Sequence, residues 1–252
     1  VGFFLIACAN SLLICMLIVS SRRHDIKWAM LLALVYFGAV TFVMQIETWY
    51  FLSRSTVGPE LLPRLFLMGM PTAFILIPLA VWILRSNKSG DEQIRTFQIT
   101  AVSQLPLKFS IAAAVYLGLY LFAGYFIAWQ NPELRSFYGW SGEALPFLSH
   151  LAYLWENDPW IFPFQVVRGG IWALCALAVI QNSKLGTLGT ALLVAALFSV
   201  PQNIVHILEN PLIPLASVRL SHLIETALST SIFGVVTVYL FTHRSHTARL
   251  SV

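Results

Sequence analysis

The pattern His-x-x-Glu occurs twice between Ser199 and Gly234, as His206-Ile-Leu-Glu209 and His222-Leu-Ile-Glu225, in sequence otherwise apolar enough for a membrane. An imidazole and a carboxylate at i and i+3 share one helix face. Helix-bundle di-metal sites use that spacing, though usually as Glu-x-x-His. Held by His206, His222 and Glu225, with Glu47 in reach as a further ligand, a divalent metal with an open position would activate water for hydrolysis. Glu209 falls at the water's edge and stands apart from this set, so the two copies of the pattern are not equivalent. A haem between His206 and His222 is a further alternative.

A different chemistry follows if Arg168 is the organising group. Its guanidinium would anchor a small polar or anionic ligand, with Glu47, Gln202, Asn203, His206, His222 and Glu225 as polar or proton-labile partners. The same residues also admit a non-catalytic reading. Arg168 would pair with Glu47 or Glu225, and the cluster would be an internal polar clasp in a subunit or scaffold of a membrane complex. The residues alone leave these alternatives open.

Of the 252 residues, 58% are hydrophobic and 10% charged, with mean hydropathy +0.77. A soluble domain carries about a quarter charged residues, so the principal partner is a lipid bilayer. The net charge of +4 is a matter of loop distribution in such a chain, and gives no reason to expect nucleic acid. Seven segments are long and apolar enough to span, at about 1–20, 28–53, 62–85, 107–129, 160–181, 187–208 and 218–242. The expected fold is all-α, a single transmembrane domain over 1–252, with an aromatic loop at 130–159.

Lys and Arg set the orientation. If the spans alternate, Arg22, Arg23, Lys27, Arg85, Lys88, Arg95, Lys108, Lys184, Arg244 and Arg249 fall on one side. The other side holds Arg54, Arg64, Arg135 and Arg219 among Glu60, Glu133, Glu143, Glu156, Asp158 and Glu209. The amino terminus is therefore expected outside and the carboxyl terminus in the cytoplasm, in a cell membrane of the bacterial cytoplasmic type. The first apolar run has no basic region before it and no small-residue cleavage site after it, and reads as a span.

On that topology the ionisable span residues gather in the outer half. Glu47 is about 9 Å, and Arg168 roughly 12 Å, from the outer ends of their spans at 1.5 Å per residue. Helical spacing puts Gln165, Arg168 and Trp172 on one face of the fifth span. It puts Gln202, His206 and Glu209 on one stripe of the sixth, and Arg219, His222, Glu225 or Thr226, and Ser229 on one stripe of the seventh. Glu47 shares its face with Tyr50 and Arg54.

Other features read as structure. Cys8, Cys15 and Cys175 lie in apolar runs without metal spacing and read as buried hydrophobes. Pro71 and Pro78 should kink the third span, Pro201 should open the sixth, and Gly169-Gly170 should allow close helix approach. Asn131-Pro132-Glu133 reads as the stop of the fourth span. "GEALPFLSHLAYLWEN" reads as an amphipathic helix in the interface or a lid over the site. The seventh span has no lysine for a retinal Schiff base. The spans hold no Asp and only two His, against the three His, Asp and Ser of ceramidase-like zinc hydrolases. Glu-Glu-x-x-x-Arg of CAAX-type proteases is absent. No internal repeat aligns the halves.

Overall fold

The computed structural model describes residues 2–52, 57–58, 60–84 and 102–243. Arg54, Arg85, Lys88, Arg95, Arg244 and Arg249, which entered the charge count, lie outside them, as does most of the polar segment between the third and fourth spans. The described residues are helical, with two isolated β-bridges and no strand.

Seven helices are long and apolar enough to cross a membrane: α1 Gly2–Val19, α2 Ile26–Leu52, α3 Leu61–Leu84, α4 Leu105–Ala128, α7 Ile161–Asn182, α8 Thr187–Ile207 and α9 Ala216–Thr242. Each starts and ends within two residues of the segments read from hydropathy. Two shorter helices, α5 Pro132–Phe137 and α6 Phe147–Asn157, lie between α4 and α7. Many large apolar side chains face outward, including Phe3, Met68, Trp82 and Leu174. That distribution suits hydrocarbon as the surrounding solvent and fits a multi-pass membrane protein.

Local sequence explains the ends. Asp25 caps α2 by accepting the backbone N–H of Trp28 at 2.9 Å. Asn131 likewise caps α5, accepting from Glu133 N with Pro132 at the first helical position. Asn131-Pro132-Glu133 is thus a helix start as well as the expected stop. At one end of the bundle Ser21 and Ser183 form a bridge, flanked by Arg22 N to Asn182 O at 2.7 Å. Lys108, counted with the basic residues between the third and fourth spans, is buried there and caps α9, its Nζ donating to the carbonyls of Leu240 and His243 at 2.6 and 2.7 Å. At the opposite end Tyr50 donates to Asp158 at 2.5 Å and Asn131 to Ser221 at 2.9 Å. These contacts join the span ends that strict alternation places together.

The prolines of α3 act through a π-turn. Thr72–Leu76 is wound as π-helix between Pro71 and Pro78. Two further π-turns, Phe37–Phe42 in α2 and Gly124–Ala128 in α4, have no sequence mark of that kind. The first of these holds Ala39, whose carbonyl accepts the Trp172 indole N–H at 2.9 Å. Close approach is set by glycine at two places. A Cβ on Gly234 would meet Ala195 Cα at 2.7 Å, so α9 packs backbone to backbone on α8. A Cβ on Gly169 would meet the Tyr116 side chain at 2.7 Å, whereas Gly170 faces open space. Cys175 is buried as expected, but Cys8 and Cys15 are exposed on the outward face of α1.

Candidate functional site

Arg168 lies in α7 with 2% of its surface exposed. The shared face read from spacing is present: Gln165, Arg168 and Trp172 are all buried. The guanidinium is held on three sides by aromatic rings, 5.4 Å from Trp172, 5.7 Å from Tyr116 and 5.8 Å from Phe164 by centroid. Its fork meets the Glu47 carboxylate of α2 at two points. Nη1 donates to Oε1 at 2.9 Å and Nη2 donates to Oε2. Nη1 also donates to Gln165 Oε1 at 2.8 Å. Arg168 is therefore already neutralised, and an anion arriving there must compete with Glu47.

Beside this pair lies a small cavity of ≈ 20 Å³, lined by Glu47, Tyr116, Tyr120, Arg168, Gln202, Glu225, Thr226, Ser229 and Thr230, with Met44 and Trp172. The void is on the scale of a water molecule. Four of the residues expected to bind a ligand line it: Glu47, Arg168, Gln202 and Glu225. Gln202 is 5% exposed, and neither its amide nitrogen nor its amide oxygen has a hydrogen-bond partner among the described residues. Such a group is costly in a low-dielectric interior.

The other three expected residues lie outside the lining. Asn203 ties α8 to α9, donating to Ser199 O at 2.7 Å while its carbonyl oxygen faces the Thr226 hydroxyl. His206 sits in a 3₁₀ turn, Ile204–Ile207, that ends α8 two residues after Pro201-Gln202. Its ring stacks on His222 with centroids 6.1 Å apart. His222 is engaged at both ring nitrogens. Nε2 meets the Tyr138 hydroxyl at 3.0 Å, and Nδ1 meets Glu225 Oε2 at 3.2 Å.

The predicted stripe of Gln202, His206 and Glu209 is not formed. The 3₁₀ turn advances about 120° per residue instead of 100°, and Glu209 falls beyond the helix end, exposed. The stripe on α9 does form, with Arg219, Glu225 and Ser229 buried. Arg219, however, turns to the α8–α9 connection, donating to the carbonyls of Ile213 and Pro214 at 3.0 and 2.6 Å.

Among the described residues no three His, Cys, Asp or Glu side chains gather at ligand spacing. His222 meets Tyr138 and Glu225 through its two ring nitrogens, whereas His206 Nδ1 is buried without a hydrogen-bond partner among the described residues. Sequence reasoning missed Tyr138, Tyr116 and Tyr120. Tyr116 and Tyr120 carry a signal, polar-tipped rings at i and i+4 in a span. Tyr138 carries none, since it reaches the site from a loop.

The chain matches no family model, and comparison with curated proteins and with solved structures finds no match.

Proposed function

We propose that the chain is a multi-pass protein of a cell membrane that binds or translocates a small polar or anionic ligand. The site is the cavity between α2, α4, α7, α8 and α9, and the amino terminus lies outside. Gln202 carries the reading: a buried amide with two unpartnered polar atoms, lining a cavity beside an arginine, is poised for a polar guest. Arg168 supplies charge, Glu47 is the internal anion that the guest displaces, and Ser229, Thr226 and Thr230 add hydroxyls. The cavity is closed down to water size, so a larger guest requires the helices around it to part. The excess of Lys and Arg at the end bearing Lys27, Lys108 and Lys184 supports a cytoplasmic carboxyl terminus.

The clasp reading has its own support in the two-point Arg168–Glu47 pair. The two are separated by thermal-shift measurements on purified protein in lipid nanodiscs, with inorganic phosphate, sulfate and short carboxylates as probes. A bound anion raises Tm of the wild type and not of the charge-free double variant Arg168→Met/Glu47→Leu. If no probe shifts the wild type, and the double variant folds but loses its association with other membrane subunits, the clasp is the better account.

A further inference from the structure

Glu225 is 5% exposed and lines the cavity. Its hydrogen-bond partner among the described side chains is His222 Nδ1. Arg168 is already occupied by Glu47. An ionised Glu225 therefore leaves the cavity with two carboxylates and one guanidinium, a net charge of −1 that hydrocarbon disfavours. One proton removes that charge. The side chains that could carry it form an unbroken line. Tyr138 stands half-buried at the aromatic end, its hydroxyl on His222 Nε2 at 3.0 Å, and His222 Nδ1 is 3.2 Å from Glu225.

We infer that Tyr138, His222 and Glu225 form a proton relay that loads one proton from the aromatic end onto the cavity carboxylate. With Glu225 ionised, Nδ1 carries the imidazole hydrogen and Nε2 accepts from the phenol. In the loading step the phenol oxygen takes a proton from hydronium at the aromatic end, leaving water, and passes its own to Nε2. The N–H proton on Nδ1 moves to Glu225 Oε2. The phenol is regenerated, the imidazole remains neutral with its hydrogen on Nε2, and Glu225 is a neutral acid. The reverse pass restores the start. Burial, and behind it the carboxylates of Glu47 and Glu225, push the Tyr138 phenol up, so it stays protonated and able to donate.

The groups that face the relay come from every neighbouring helix. Tyr120 and Tyr116 approach from α4, Glu47 from α2 and Arg168 from α7. His206 stacks on His222 from α8, and Arg219 lies one turn away on α9. None of these interrupts the line from Tyr138 to Glu225. This inference deepens the ligand-site reading and rests on it in one respect: a neutral Glu225 removes the repulsion an anion would meet, so proton loading and anion entry belong together.

The test needs no ligand. Full-length protein with ¹⁵N-labelled histidine is placed in lipid nanodiscs, and His222 is assigned through His222→Gln. The wild type is expected to show the hydrogen on Nδ1 in the unloaded state and on Nε2 in the loaded state, the two interconverting with pH and in exchange with water. Tyr138→Phe should slow that exchange at least tenfold, and Glu225→Gln should move the hydrogen to Nε2. A hydrogen that stays on the same ring nitrogen across the pH range in which the cavity takes up its proton, or an exchange rate unchanged by Tyr138→Phe, overturns the relay. Both substitutions are close to isosteric, and each reads the line at a different link, so failure of one variant to fold leaves the other decisive. Anion binding that fails in the thermal-shift assay while these signatures hold would remove the ligand reading and leave the relay standing.

Discussion

Arg168 shows how a charge is tolerated in an apolar bundle. A lone guanidinium there would be prohibitively desolvated, so α2 supplies a carboxylate and three rings supply π-faces. Breaking such a pair from one side leaves the other charge buried, which costs about 3–5 kcal/mol, whereas replacing both by apolar groups of similar volume is often neutral. Glu47→Leu is therefore expected to destabilise by about that much, because Arg168 is the more deeply buried partner at 2% exposure against 21% for Glu47. Arg168→Met should do less harm, and the double variant should recover most of the loss. Denaturant unfolding in detergent reads all three, and a double variant as unstable as Glu47→Leu would mean that the pair is not an isolated unit. The partnership of these residues was visible in the sequence as ionisable groups at similar depth. The choice of Glu47 over Glu225 was not, because it depends on how α2 and α9 are rotated about α7.

At the scale of elements, hydropathy placed all seven spans, and period-3.6 spacing placed the buried faces of α7 and α9, because lipid and core impose those patterns directly. The π-turns in α2 and α4 were illegible, having no proline to mark them, and Pro201 announced an opening of α8 without announcing its 3₁₀ end. The second His-x-x-Glu therefore kept its geometry while the first lost it. The amphipathic helix expected within 130–159 is present as α6. Its inner face carries His150, which is buried and lies 5.4 Å from the Tyr125 ring and 5.1 Å from Trp129. Its outer face carries Leu148 and Trp155, suited to the membrane interface. Burial holds the His150 imidazole below its ordinary value. The sign follows: a histidine whose folded value is depressed binds fewer protons docked than undocked, so docking is favoured above about pH 6.5 and weakens as pH falls below it. Protection from hydrogen exchange over 147–157, taken relative to the intrinsic rate at each pH, should fall on acidification in the wild type and much less in His150→Phe. An equal loss of protection in both would place the acid sensitivity elsewhere.

At the scale of the whole molecule, the polar cluster lies toward one end of the bundle, and which compartment that end faces decides where a ligand or proton comes from. The structure joins the span ends in alternation, through Ser21 with Ser183 and Lys108 with His243 at one end and Tyr50 with Asp158 and Asn131 with Ser221 at the other. Alternation alone does not choose a side. The proposed orientation rests on the basic residues, since membrane potential and anionic lipid favour Lys and Arg on the cytoplasmic side. Glu156, exposed at the end of α6, and Lys184, exposed in the α7–α8 turn, mark the two ends. Introduced singly as Glu156→Cys and Lys184→Cys in a background with Cys8, Cys15 and Cys175 replaced by Ala, they report orientation. A membrane-impermeant maleimide added to intact cells should label the first and reach the second only after permeabilisation. The opposite pattern would turn the molecule over. The relay from Tyr138 to Glu225 would then load from the cytoplasm, and the same contacts would serve proton release where uptake is proposed.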